Sequence, residues 1–305
     1  MTPWLMAGLL FTPLAFAVLT LLSDFRRSRL VTWVGILVQV LVSIGLWETV
    51  VRDGGFNYAL GGWQAPLGIE LRVDGLAVTF VMLTSLVAAA CGCHAGIYLD
   101  PAKDWHRYFW PLYWFLWAGL NSVWLGADLF NLYVGLELIS LSAVGLVALG
   151  GQADALRAAL RYLMAALLGS LAYLLGVSLV YARFGSLSIS AIATVLEGSV
   201  APGFPAFAFV LMMSGLALKT ALFPLHGWLP PAHGIAKSPV SALLSALVVK
   251  ASFYIAARLW LELGIYAGTG VLPHLIGALG GLAVVWGSWR AFQQVKLKQV
   301  VAYSS

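Results

Sequence analysis

Glu137, Lys219 and Lys250 each stand in the middle of a stretch that is otherwise almost wholly apolar: DLFNLYVGLELISLSAVGLVAL, FAFVLMMSGLALKTALFPL and PVSALLSALVVKASFYIAARLW. A charge at bilayer depth costs several kcal/mol, so such residues face a bundle interior, a partner charge or a wet path. Charges of both signs at that depth point to a proton or cation route. The bland alternative is a structural ion pair between helices, and it leaves one lysine without a partner. A lysine is a useful proton carrier only if its affinity is tuned: desolvation lowers it and a nearby carboxylate raises it again. A carboxylate that moves toward or away from the amine therefore switches the proton on and off. Glu137 is the expected modulator, Lys219 the switched carrier and Lys250 the next station. His226, of a type that titrates near neutral pH, is the candidate for the entrance.

The elements that must hold these groups are membrane spans. The 305 residues are 61% hydrophobic and only 10% charged, with a mean hydropathy of +0.92. Soluble domains carry about 25% charged residues, so a soluble fold is excluded. The net charge of +5 is dispersed between apolar segments. It reads as a topology signal in a lipid bilayer and not as a nucleic-acid surface. Apolar runs long enough to cross are residues 3–22, 30–51, 75–98, 108–126, 129–149, 160–182, 205–228, 239–261 and 271–289, about nine spans of about 20 residues each. The first run lacks the basic region and cleavage site of a secretory signal, and so reads as a span. Counted at 1.5 Å per residue, Glu137, Lys219 and Lys250 lie roughly 12–21 Å from their helix starts, near the midplane of a core about 30 Å thick.

Alternate loops divide the basic residues unequally. Eleven fall on one side (Arg26, Arg27, Arg29, Lys103, Arg107, Arg157, Arg161, Lys237, Arg290, Lys296, Lys298) and four on the other (Arg52, Arg72, Arg183, Arg258). The basic side belongs in the cytoplasm, which places the N-terminus outside a multi-pass inner-membrane protein. In the seventh span Pro224 follows Lys219 by five residues. Proline removes a backbone donor and pushes the residue before it out of the helical region, so the helix is expected to break there. Irregular backbone at membrane depth is tolerated where it lines a wet cavity. Pro230 and Pro231 read as an ordinary surface turn, and Ser238 with Pro239 as the cap and first turn of the eighth helix. Residues 52–74 suggest a short hairpin covering the outer face, and 184–203 a short interfacial helix. Cys91 and Cys93 read as packing thiols, because an i, i+2 spacing on a helix points them to different faces.

Three stretches carry a family resemblance: GLELISLSAVGL, LALKTALFPLHGWLPPAHGIAKSPVSALLSALVVK and VKLKQVVAYSS. They resemble the antiporter-type membrane subunits shared by respiratory complex I, membrane-bound hydrogenases and Mrp cation/proton antiporters. The run GGWQAPLGIELRVDGLA is most similar to the D-type Mrp subunit. The resemblance implies an all-α polytopic fold in which residues 108–261 form a five-helix antiporter repeat with a broken seventh helix. Residues 1–107 would be an N-terminal three-helix region with its outer loop, and 262–305 the start of an incomplete second repeat. It maps the family's fifth-helix glutamate onto Glu137, its broken-helix lysine onto Lys219 and its eighth-helix lysine onto Lys250. Complex I members often carry a histidine where this chain has Ser245, which leaves a hydroxyl for the relay. The C-terminal half of the family pattern is expected to lie in the rest of a longer chain or in a second polypeptide. The implied function is proton translocation, with or without sodium exchange, alongside other membrane subunits. A pump arm of an NADH:quinone oxidoreductase or hydrogenase, and a non-transporting scaffold, are the alternatives. No catalytic, redox, cofactor-binding or metal-ligating motif is read in the sequence, and the residues alone leave open whether the complex is an enzyme.

Overall fold

The computed structural model describes residues 2–63, 68–99, 106–197, 204–267 and 270–305. Lys103, residues 64–67 of the outer loop and residues 198–203 of the interfacial segment lie outside the described residues. The chain opens with α1 (Thr2–Leu22) and α2 (Phe25–Asp53), which lead into the antiparallel hairpin β1 (Phe56–Ala59) and β2 (Glu70–Val73). Its register pairs Phe56 with Val73 and Ala59 with Glu70, as the alternating GIELRVD suggests. Then follow α3 (Gly75–Tyr98), α4 (His106–Leu125), α5 (Leu129–Ala148), α6 (Ala153–Phe184) and the short α7 (Ile189–Glu197). The second part holds α8 (Ala206–Lys219), α9 (Leu229–Ile235), α10 (Ser238–Leu243), α11 (Val249–Glu262), α12 (Leu272–Phe292) and α13 (Leu297–Ser304).

Among the described residues, seven helices are long and apolar enough to cross a membrane. The two remaining expected spans differ in kind. α4 has 20 residues but is rich in aromatics, with Trp114 and Trp117 stacked at 5.2 Å. α8 has only 14 residues and stops at Lys219. Helices α10 and α11 together cover the expected eighth span, joined by a π-helical turn at Leu244–Val248 that the sequence did not signal.

Local chemistry sets the helix ends. Asp74 caps α3 by accepting the Ala77 amide at 2.9 Å, and Asp128 caps α5 by accepting that of Asn131 at 2.8 Å; both satisfy donors that a helix start leaves unpaired. α6 ends on Gly185 at φ +64°, a conformation that only glycine takes without a Cβ clash. Ser238 is the first residue of α10 and no cap; Lys237 precedes it in extended geometry. Pro230 and Pro231 begin α9 and do not form a surface turn, because the first turn of a helix needs no proline N–H. Pro13, inside α1, has no N–H for the Leu9 carbonyl. Asn121 of α4 supplies the missing donor at 2.8 Å.

The hairpin is tied into one end of the bundle. The Ala127 amide donates to Glu70 O at 3.2 Å, and Leu129 and Ile189 bond across the residues preceding α5 and α7. This hairpin end gathers the starts of α3, α5 and α8 and the ends of α2, α4, α6 and α11. α6 packs against α8 at very short range. A Cβ added at Gly215 would sit 2.3 Å from the Gly169 carbonyl oxygen, a separation no side chain tolerates. Cys91 is buried and Cys93 half-buried, both as free thiols.

Candidate proton-translocation site

Glu137 and Lys219 meet. Lys219 Nζ donates to Glu137 Oε1 at 3.2 Å and to Ser140 Oγ at 2.7 Å. The Ser170 hydroxyl donates to the same carboxylate oxygen. Lys219 is 7% exposed, and the Glu137 side chain 19%. Two charges taken out of water this far persist only when paired and hydrogen-bonded. Here the pair is fed from three helices: α5 gives Glu137 and Ser140 one turn apart, α6 gives Ser170, and α8 gives Lys219. The Gly169–Gly215 contact lets α6 and α8 approach closely enough for this.

The helix carrying Lys219 ends at that residue. Ala221 has φ +58°; its amide donates to Leu218 O at 3.2 Å and the Leu222 amide to Ala217 O at 2.9 Å. This is the Schellman pattern that closes many helices, usually with glycine in the left-handed position. The break expected between Lys219 and Pro224 is therefore present, but its local cause is Ala221 three residues before the proline. Pro224 continues the non-helical turn and is itself exposed. Trp228 repairs the exit by donating Nε1 to Leu218 O at 2.9 Å, with its ring stacked on Tyr162 at 4.4 Å. One side of the broken backbone, from Thr220 to Phe223 and including His226, lines a cavity of about 560 Å³ shared with α12 and α13. His226 is half-buried there and stacked on Phe223 at 5.7 Å.

Lys250 lies just after the π turn and does not touch the Glu137–Lys219 pair. Its Nζ donates to the Ser245 carbonyl at 2.7 Å, an acceptor in the stretch where the regular helical ladder is interrupted. The Ser245 hydroxyl contacts Ser305 Oγ at 2.5 Å, so Ser245 meets Lys250 through its backbone. Thr220, the residue after Lys219, donates its hydroxyl to the Leu216 carbonyl at 2.8 Å and also meets Ser252 Oγ of α11 at 3.0 Å.

The structure adds residues to which the sequence reading gave no role. Ser140 was findable, since ELIS places it one turn after Glu137 on the same face. Ser170, Thr220 and Ser252 carry no such signal, because a serine or threonine in an apolar helix is commonplace. His233 is fully buried in α9, bonded through Nδ1 to Ser241 Oγ at 2.7 Å, with Lys250 and Lys298 as neighbouring cations. Its Nε2 has no protein partner among the described residues. Arg258, counted with the loop charges, is 8% exposed and ion-paired inside the bundle. Removing it from the loop count leaves the charge asymmetry with the same sign.

Residues 126–305 match the family described as NADH:quinone oxidoreductase/Mrp antiporter, transmembrane. The chain belongs to this antiporter family. NADH-quinone oxidoreductase subunit N of Desulforudis audaxviator is 36% identical over 299 residues, 97% of this chain and 59% of that protein. The D-type subunit of the Na+/H+ antiporter of Alkalihalophilus pseudofirmus is 31% identical over 276 residues, 90% of this chain and 56% of its own length. Among solved structures, a chain of the archaeal membrane-bound sulfane sulfur reductase superposes with a TM-score of 0.91 at 27% identity, over 98% of this chain and 62% of its own. A chain of the Dietzia Mrp complex shares the fold, with a TM-score of 0.87 at 24% identity over 99% of this chain and 57% of its own. This chain thus spans less than two thirds of the length of the relatives it matches.

Proposed function

We propose that this antiporter-family chain is a proton-translocating subunit of a larger membrane complex, working with or without exchange for sodium. The observation that carries the reading is the Lys219–Glu137 pair at the end of a helix broken inside the membrane. With Glu137 in contact the ammonium form of Lys219 is favoured; as the carboxylate withdraws, desolvation drives the proton off. Lys250, on α11, receives the proton next. His226 on the cavity, and His233 beside Lys250, are the imidazoles placed to deliver or collect it. The basic end faces the cytoplasm and the hairpin end lies outside.

The partners are other membrane subunits; the remainder of the antiporter pattern, in the continuation of this chain or in a second polypeptide, packs beside it. Support for that comes from α12. No part of its span Pro273–Phe292 is buried, and a Cβ at Gly277, Gly280 or Gly281 meets open space. Gly277 and Gly281 are spaced as in close-packed membrane helix pairs. A further membrane bundle seated on this face also covers the cavity. The 36% identity to an NADH-quinone oxidoreductase subunit favours a second reading, in which the same route is the pump arm of a redox complex.

Proton flux in vesicles holding the assembled complex tests the proposal. Lys219→Ala and Glu137→Ala are expected to abolish or strongly reduce it with assembly largely retained. Lys250→Arg, which keeps the charge but cannot release a proton, is expected to match Lys250→Ala. Full transport by Lys250→Arg removes that lysine from the route.

A further inference from the structure

The start of α2 carries charges that the Glu137–Lys219 pair does not use. Arg26, Arg27 and Arg29 fall within its first five residues, with one carboxylate, Asp24, just before them. Arg27 and Arg29 are exposed, and neither joins an ion pair among the described residues. A guanidinium stays charged at physiological pH and can hold a phosphate by two parallel hydrogen bonds. Two such groups, two residues apart, suit one phosphodiester.

What lies beneath them decides the kind of anion. α2 is 29 residues long, about 43 Å against a hydrocarbon core of about 30 Å. Centred on that core it leaves about 7 Å at each end, so Arg29 stands where the headgroups begin. Arg27 heads a column of Leu30, Val34, Leu37 and Leu41, whose alternating spacing of three and four residues keeps them on one face. All four are exposed. Toward α3 the helix turns Arg29 and Trp33, one turn apart. A Cβ at Gly96 of α3 would lie 3.7 Å from Arg29 Nε and 3.5 Å from Trp33 Cζ2, so both side chains rest where α3 has none of its own. Trp33 is 37% exposed, an indole at the depth where membrane proteins concentrate them. Guanidinium, indole and apolar column thus follow one another in the order of a phospholipid's phosphate, glycerol ester and acyl chain. A soluble phosphate or an acidic peptide matches the first group and not the rest.

We infer that the α2–α3 face at the start of α2 binds an anionic phospholipid, its phosphate on Arg27 and Arg29 and an acyl chain along the column from Leu30 to Leu41. Cytoplasmic leaflets carry anionic lipids, and the basic end of this chain is the one assigned to that side. The inference does not depend on the transport role of Lys219 or Lys250.

The test places a photo-crosslinker on the column. The assembled complex carrying Val34→p-benzoylphenylalanine is reconstituted in phosphatidylcholine vesicles with about 20% phosphatidylglycerol of the same acyl chains, and the cross-linked lipid is identified by mass spectrometry. Phosphatidylglycerol is expected about fivefold above its share, equivalent to about 1 kcal/mol of preference. Arg27→Gln with Arg29→Gln, at exposed positions that the fold does not need, should return the ratio to the vesicle composition. Arg52→Gln, at the opposite end of the same helix, should leave the enrichment unchanged. Recovery at the bulk share without the arginine substitutions, enrichment that survives the glutamine pair, or an equal loss caused by Arg52→Gln overturns the site. So does cross-linking to a neighbouring subunit in place of lipid, which would make this face a protein interface.

Discussion

At the residue scale, the three charges were legible because hydrocarbon makes each expensive, and an expensive residue must have a reason to be there. What the sequence left unstated was which partners satisfy them. Glu137 and Lys219 are 82 positions apart, and only the α5–α6–α8 packing reveals that Ser170 completes the pair. Ser140→Ala removes one of two acceptors from the ammonium. It is expected to slow proton transfer while leaving assembly unchanged, as read from flux per assembled complex. Arg258 was misjudged because it lies four residues from the end of its span, where charged side chains usually reach water; here it turns inward to Asp74. That contact has a pH signature. Burial alone raises the Asp74 carboxyl, but hydrogen bonds from Arg258 and the Ala77 amide, with Arg72 nearby, outweigh it and hold the group below the usual carboxylate range. A carboxylate lowered on folding contributes stability above its unfolded pKa of about 4 and loses it as pH falls through the lower folded value. Asp74→Asn is therefore expected to lower stability at neutral pH and to flatten the acid limb of the stability curve, measured by thermal unfolding in detergent from pH 7 down to about 3.

At the element scale, the hairpin, the interfacial helix and the existence of a break in the seventh span were all readable from composition and proline. The residue that ends the helix was not. Nothing in ALKTALFPL marks Ala221 for left-handed backbone, a conformation that disfavours alanine by about 1–2 kcal/mol. Ala221→Gly is expected to stabilise the protein, by a few tenths to about 1 kcal/mol once the greater flexibility of unfolded glycine is deducted. Thermal unfolding in detergent reads this as an upward shift, and a downward shift contradicts the Schellman assignment. The opposite sign is expected at Gly215, where a methyl group meets the Gly169 carbonyl. Gly215→Ala should destabilise by roughly 1–3 kcal/mol and reduce transport, because separating α6 from α8 draws Lys219 away from Glu137. The π turn at Leu244–Val248 was illegible because its residues suit a regular α-helix. Its consequence is visible only in three dimensions, as Lys250 bonded to the Ser245 carbonyl.

At the scale of the whole molecule, an ion-paired end contrasts with an open helix face. At the hairpin end Arg72 and Arg258 are paired with Asp74 and Glu262, whereas the cavity beside the broken helix is lined by the second half of α12, whose first half stays open at Gly277, Gly280 and Gly281. Substituting leucine at Gly277 and Gly281 is expected to block a close-packed neighbour on this face and to lower the thermal stability of the assembled complex in detergent; an unchanged complex contradicts docking at this face. The decisive comparison returns to the central pair. Glu137→Gln combined with Lys219→Met removes both charges together, so no unpaired ion is left in the membrane, and assembly should survive. Proton flux through vesicles carrying that double variant separates the two accounts of the pair. Carriage by Lys219 requires an assembled complex with no flux above background, whereas flux at the wild-type level would show that the pair is only a structural tie.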